Sequence, residues 1–233
     1  VSGGKFDFTY FKGNFVDGAT TSGNLVFHTD DGNSGTANNQ TNGAFWGYHV
    51  LGGNNSGWSG DVTVGFNTIY DRDEITILRL ENNNALTAKN DVTLGGSSSL
   101  QAGGSTVTIG SISSPLTFGE FGNSTFPGAI IENASSTPGT ITITQSTPVN
   151  TEVLMTATMR DGLPPDHMYQ TSGQAGAALN IVKDGSGWLT LTQHNEQTGT
   201  FVVKAGVLQV GLNGFGDTGA TNAGGMTVKS GAT

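Results

Sequence analysis

The densest charge cluster in the chain is Tyr70-Asp71-Arg72-Asp73-Glu74. Carboxylates beside a basic side chain are what a polysaccharide-cleaving β protein uses, to hold Ca2+ or to move a proton. Consecutive strand residues point to opposite faces, so only Asp71 and Asp73 share one. A second acidic cluster, His28-Thr29-Asp30-Asp31-Gly32-Asn33, supplies oxygen ligands but lacks the spacing and terminal Glu of an EF-hand loop. Asp30, Asp31, Asp71 and Asp73 are therefore the candidate Ca2+ ligands. The expected role of both clusters is a solvated turn, with no cofactor.

Other chemistries lack their parts. His28, His49, His167 and His194 have no partner three or four residues away and no Cys companion, so no zinc site is expected. Gly185-Ser186-Gly187 is not a nucleophile elbow, because no helix follows it. No catalytic residue is assigned, and an enzyme is not expected.

Aromatic residues crowd the N-terminal region. Phe6, Phe8 and Tyr10 alternate and share one strand face, and Trp46, Tyr48 and Trp58 lie among Asn and Gly. These six are the candidate interaction residues. Two roles fit them: a cap closing the end of a stacked fold, or a platform for a subunit or a sugar ring.

The elements that must position these groups are short strands. The chain has 233 residues, 37 of them glycine, with 12% charged, 34% hydrophobic and no cysteine. Nine basic residues against 18 acidic leave a net charge of -9. Scattered basic residues do not make a nucleic-acid surface, and absent Cys excludes a disulfide scaffold. No apolar run reaches the length of a membrane-spanning helix. Val1–Lys5 holds no initiator Met and no secretory core, which reads as a processed chain or part of a longer one. Alternation such as Thr140-Ile141-Thr142-Ile143 and Leu189-Thr190-Leu191-Thr192 predicts half-buried strands separated by Gly/Asn/Asp/Ser corners. Strands are expected at Lys5–Tyr10, Gly23–His28, Phe45–Leu51, Asp61–Phe66, Glu74–Leu80 and Asp91–Leu94. Further strands are expected at Thr106–Ile109, Leu116–Phe118, Ala129–Ile131, Thr140–Thr144, Glu152–Thr158 and Ala178–Val182. The last four are expected at Trp188–Thr192, Thr200–Val203, Val207–Val210 and Met226–Lys229. Few two-residue hairpin turns separate them, which favours a parallel stack with about 20–25 residues per coil. An antiparallel β-sandwich or jelly roll is the alternative.

Residues 179–211 carry a more specific pattern. Lys183, Gly185, Gly187, Leu189, Leu191, Asn195, Thr198, Gly199, Val202, Ala205, Gly206, Leu208 and Val210 follow the order of the autotransporter-associated β-strand repeat, which this stretch resembles. The resemblance implies a right-handed parallel β-helix from a secreted or surface-exposed bacterial passenger protein, and no particular activity. Its glycines 185, 187, 199 and 206 are expected at coil corners, in left-handed or extended conformation.

The chain is thus expected to be an all-β solenoid. Residues 1–75 would form an aromatic-rich N-terminal region or cap, and residues 76–233 a solenoid with a Pro-rich loop protruding near 161–170. The expected function is structural or adhesive, extracellular or at the cell surface, with end-to-end association into a fibre. The expected partners are other copies of the chain, adjacent coils of a longer chain, or a surface glycan. A carbohydrate-binding or polysaccharide-degrading β-helix is the alternative.

Overall fold

A computed structural model describes residues 6–28, 45–65, 74–95, 98–114, 129–148, 151–162, 176–193, 195–211 and 225–233. Every element among them is a β-strand. In chain order they are β1 Phe6–Phe11, β2 Leu25–Phe27, β3 Phe45–Leu51, β4 Val62–Val64, β5 Glu74–Leu80 and β6 Val92–Leu94. There follow β7 Ser98–Gln101, β8 Thr106–Ile109, β9 Ile112–Ser113, β10 Ile130–Glu132, β11 Gly139–Ile143 and β12 Glu152–Met155. The last are β13 Thr158–Arg160, β14 Leu179–Lys183, β15 Trp188–Leu191, β16 Phe201–Val203, β17 Val207–Val210 and β18 Met226–Val228.

They form four sheets, ordered β1-β3-β5-β7-β10-β13, β18-β16-β14-β11-β8, β2-β4-β6-β9 and β12-β15-β17. A parallel bridge from Ser114 to Met155 joins the last two along one side. Every strand pairing among the described residues is parallel, so the antiparallel sandwich does not apply. A parallel neighbour must be reached by a crossover, which explains the scarcity of hairpin signals.

Consecutive strands visit different sheets and return. After β10, β11 and β12 the chain lays β13 on β10, β14 on β11 and β15 on β12. The return interval is not constant. Neighbours in adjacent layers are 40 residues apart at Asn14 and Asn54, 30 at Gly60 and Asn90, and 20 at Asp91 and Ser111. The strand register holds across these unequal intervals.

Inward residues stack in columns. Val107, Ile141, Ile181 and Phe201 form one, and Ile109, Ile143, Lys183 and Val203 another. Leu78, Leu100, Ile131 and Met159 line the six-stranded sheet from inside, and all join a single buried cluster. Fully burying each such side chain stabilises by about 1.5–3 kcal/mol. Outward positions carry threonine columns, Thr106 beside Thr140 and Thr108 beside Thr142. Asparagines instead bind backbone of the neighbouring layer. Asn55 Nδ2 donates to Ala85 O at 2.9 Å, and Asn90 Nδ2 to Gly60 O at 2.8 Å.

Residue 75 lies within β5 of the six-stranded sheet, and the four-stranded sheet pairs β4, before it in sequence, with β6, after it. At the N-terminal end the interior is filled by rings. Phe11 lies 5.9 Å from Phe15 and 6.0 Å from Phe27 between centroids, and Phe15 lies 5.8 Å from Trp58.

Candidate functional site

Three places concentrate polar or unusual groups: the outer side of the six-stranded sheet, the corner at Lys183, and the two ends of the stack.

On the outer side of the six-stranded sheet, register brings Val50, Arg79, Gln101, Glu132 and Arg160 into one column. Glu132 is 2% exposed. Its Oε1 accepts from Ser99 Oγ and Gln101 Nε2, both at 2.9 Å, and its Oε2 accepts from Arg160 Nε at 2.8 Å. A buried carboxylate is tolerated when paired and hydrogen-bonded in this way. Arg79 continues the network: Nε donates to Glu81 Oε1 at 2.8 Å and Nη1 to Ala134 O at 2.6 Å. Tyr10 donates its hydroxyl to Glu81 Oε2 at 2.8 Å, which holds the phenol pKa above its ordinary value. Burial does the same to Tyr48. None of these charged residues is adjacent in sequence. Only the register unites them, so nothing in the sequence marks the column.

The aromatic residues separate into two groups. Phe8 is 61% exposed and stacks on Tyr48 with centroids 5.5 Å apart and planes 13° off parallel. Tyr10 is also exposed, with the Lys12 ammonium 5.3 Å above its ring. Phe6 and Trp46 are paired backbone neighbours in β1 and β3. Trp58 does not belong with them. It is buried, and its indole N–H donates to Gly23 O at 2.8 Å, so it cannot stack on a ligand. Its ring fills the N-terminal interior, a demand that isolated sequence context does not reveal.

The acidic candidates Asp30, Asp31, Asp71 and Asp73 lie outside the described residues, as does the Pro-rich stretch from 163 to 170. Among the described residues no group of three or more His, Cys, Asp or Glu is placed to hold a metal ion.

The repeat-like stretch shows what its motif residues do. Lys183 points inward from β14 and is fully buried. Its ammonium donates to the carbonyl oxygens of Asp184 (3.0 Å), Gly185 (2.8 Å) and Ala205 (3.0 Å), using all three protons. Burial lowers its pKa, with Asp184 acting in the opposite sense. Gly185 and Gly206 adopt φ of +76° and +72°, the left-handed region expected at corners. Gly199 serves a different need: a Cβ there would meet the Leu179 carbonyl of the layer beneath. Asp161 locks the same region by accepting from Leu179 N at 2.9 Å and Thr198 Oγ1 at 2.6 Å.

No family, curated protein or solved structure matches this chain.

The ends of the stack differ from its flanks. Among the described residues the exposed large hydrophobic side chains are Phe8, Tyr10, Val16 and Val26 near the first layer and Val210, Met226 and Val228 in the last. Phe8, Tyr10 and Val26 point outward from their strands, alternating with inward Phe11, Leu25 and Phe27. In register, Met226 follows buried Phe201, Val228 follows buried Val203 and Val210 follows buried Leu191, while Thr233 pairs with β17 by accepting from Leu208 N at 2.8 Å.

Proposed function

We propose that this chain is a structural module of the right-handed parallel β-helix type, working at a cell surface or outside the cell. Its role in that setting is mechanical: stacked coils hold a stiff, protease-resistant scaffold, and side chains on its flanks and ends make contacts. The observation that carries the reading is the return of β13, β14 and β15 onto β10, β11 and β12 in parallel register. The Lys183 corner and the resemblance of residues 179–211 to the autotransporter-associated repeat agree with it. In a repeat architecture each layer contacts only its neighbours, so stability rises roughly additively with layers.

Tandem duplication tests this. Ile181 pairs with Phe201 one layer on, and Asn180 and Thr200 are 20 residues apart. Inserting a second copy of residues 181–200 after Thr200 adds one full layer and is expected to keep a cooperative fold with a higher denaturant midpoint. Inserting only residues 181–190 shifts the register and is expected to unfold the C-terminal half. A full-layer insertion as damaging as the half-layer one would sink the reading.

A second reading is carbohydrate binding, favoured by the exposed Phe8 and Tyr10 rings beside Tyr48 and Glu81. Sugar C–H faces pack on such rings while hydroxyls meet the phenol and carboxylate. Glycan-array binding that disappears in Phe8→Ala would support it, and an array without signal would remove it.

A further inference from the structure

We propose that Tyr10, Glu81 and Arg79 form a tie that makes the first five layers of the six-stranded sheet open as one unit instead of fraying strand by strand. The proposal rests on the stacked-coil reading and names a device by which such a scaffold resists opening.

Layers of a stack ordinarily hold only their nearest neighbours, and an outer layer opens before an inner one. The tie skips layers. In sheet order β1, β3, β5, β7 and β10 are layers one to five. Tyr10 stands in layer one, and its hydroxyl donates at 2.8 Å to Glu81 Oε2, just past β5 in layer three. Arg79 of β5 donates from Nε to the other oxygen of the same carboxylate at 2.8 Å. Its Nη1 then donates at 2.6 Å to the Ala134 carbonyl, just past β10 in layer five. Three side chains thus make one continuous path from layer one to layer five, and the strands between supply none of its atoms.

Each skipped layer has a glycine where the path crosses it. At Gly52, just past β3 in layer two, a Cβ would come within 2.6 Å of Tyr10 Oη and 2.7 Å of Tyr10 Cε1. The phenol crosses that layer in this position because no side chain stands there. At Gly103, just past β7 in layer four, a Cβ would lie 3.4 Å from both Cγ and Nε of Arg79. The two glycines differ in one respect. Gly103 has φ of +62°, so its backbone asks for glycine in any case, whereas Gly52 is not among the residues with positive φ. At Gly52 the crossing phenol is what a side chain would meet.

The ordinary ladder is intact beneath the tie. Gly52 N donates to Phe11 O and Glu81 N to Leu51 O, both at 3.0 Å. The tie therefore adds to the nearest-neighbour bonds and does not replace them. Its centre is partly sheltered, with the side chains of Arg79 and Glu81 14% and 33% exposed. Hydrogen bonds to an ionised group are stronger than neutral ones, and shelter lessens their screening. The Lys12 ammonium, 5.3 Å from the Tyr10 ring centroid, holds the phenol from its open side.

Native-state hydrogen exchange in low denaturant, read by mass spectrometry, tests this. In the unaltered chain the amides of β1, β5 and β10 are expected to share one opening reaction. Tyr10→Phe removes only the first bond of the path, and β1 is expected to exchange ahead of β5 by about three- to ten-fold, the worth of one hydrogen bond. Gly52→Ala is expected to do the same without altering any bonded group, because its methyl displaces the phenol. Both substitutions together are expected to be no faster than either alone. Arg79→Met cuts the path at its centre, and β1, β3 and β5 are expected to exchange ahead of β10. A β1 that already exchanges independently in the unaltered chain overturns the proposal, as does unchanged β1 exchange in Tyr10→Phe and Gly52→Ala. β11 and β14 lie outside the tie and report on the stack itself. If they are unprotected in the unaltered chain, the stacked-coil reading falls and the proposal with it. If they are protected while β1 exchanges independently, the tie alone falls.

Discussion

The ammonium of Lys183 lies 3.0 Å from the carbonyl oxygen of Ala205, a corner residue of the following layer. One buried cation therefore ties its own corner, through Asp184 and Gly185, to the next. It stands in a column otherwise made of Ile109, Ile143 and Val203. An apolar residue would fill that position, but it would leave three carbonyls without donors.

Lys183→Met is accordingly expected to destabilise the fold by roughly 3 kcal/mol, since each orphaned buried acceptor costs about 1–3 kcal/mol and some regain water. Urea unfolding checks this. A loss below about 0.5 kcal/mol would mean that the corner carbonyls find other donors.

Arg160→Met leaves the Glu132 carboxylate buried with only its Ser99 and Gln101 donors. The expected loss is about 3 kcal/mol, the range for breaking a buried ion pair on one side. Adding Glu132→Gln to the same chain removes the buried charge while its amide oxygen still accepts from Ser99 and Gln101, and is expected to recover part of the loss. A double variant no better than the single one would show that Arg160 acts through packing instead.

Ala134 has φ of 51°, an uncommon conformation for a residue with a Cβ. The Arg79 guanidinium holds its carbonyl there. Ala134→Gly removes a strain of about 1–2 kcal/mol but also a fully buried methyl worth about 0.8 kcal/mol, and it frees the unfolded chain, so the unfolding midpoint is expected to change little. A clear drop in the midpoint would contradict this.

Asp17 in the first layer accepts from Ser59 N at 2.9 Å and Ser59 Oγ at 2.8 Å in the second. These bonds hold its carboxyl pKa below 3.8. In acid between the lowered value and 3.8, the unfolded chain binds the proton that the folded chain refuses, so stability falls as pH falls. The contribution is complete above 3.8. Asp17→Asn is expected to flatten this part of the pH–stability curve, a small change because the site is exposed. An unchanged slope would count against the link.

Strand positions were legible as short runs rich in apolar residues between turn residues: Phe45–Leu51, Glu74–Leu80, Thr106–Ile109 and Val207–Val210 match their expected limits. β7 was not legible. Its Ser98-Ser99-Leu100-Gln101 is buried on both faces and holds a single apolar residue: Ser98, on the face of Leu100, donates to Gly95 O, and Ser99 and Gln101 on the other face serve Glu132. The stretch 152–158, read as one strand, divides into β12 and β13 on different sheets. A corner of two small residues, Thr156-Ala157, leaves no Gly or Asn to mark the turn. Trp58 looked like a surface ring because Asn and Gly surround it, and only the third dimension shows that those residues are the corner enclosing it. The polar column on the six-stranded sheet was invisible for a related reason. Arg79, Gln101, Glu132 and Arg160 are separated by connections of unequal length, so no fixed period links them.

The most direct test of the central claim, that parallel strands of four sheets enclose one buried core, is methionine oxidation by peroxide followed by mass spectrometry. Met226 is 42% exposed although it continues the column of buried Phe201, while Met155 and Met159 are enclosed. In dilute solution Met226 is expected to oxidise at close to the rate of a free methionine, and Met155 and Met159 roughly ten-fold or more slowly. If Met155 and Met159 oxidise as fast as Met226 in the folded chain, the core is not enclosed and the account is wrong.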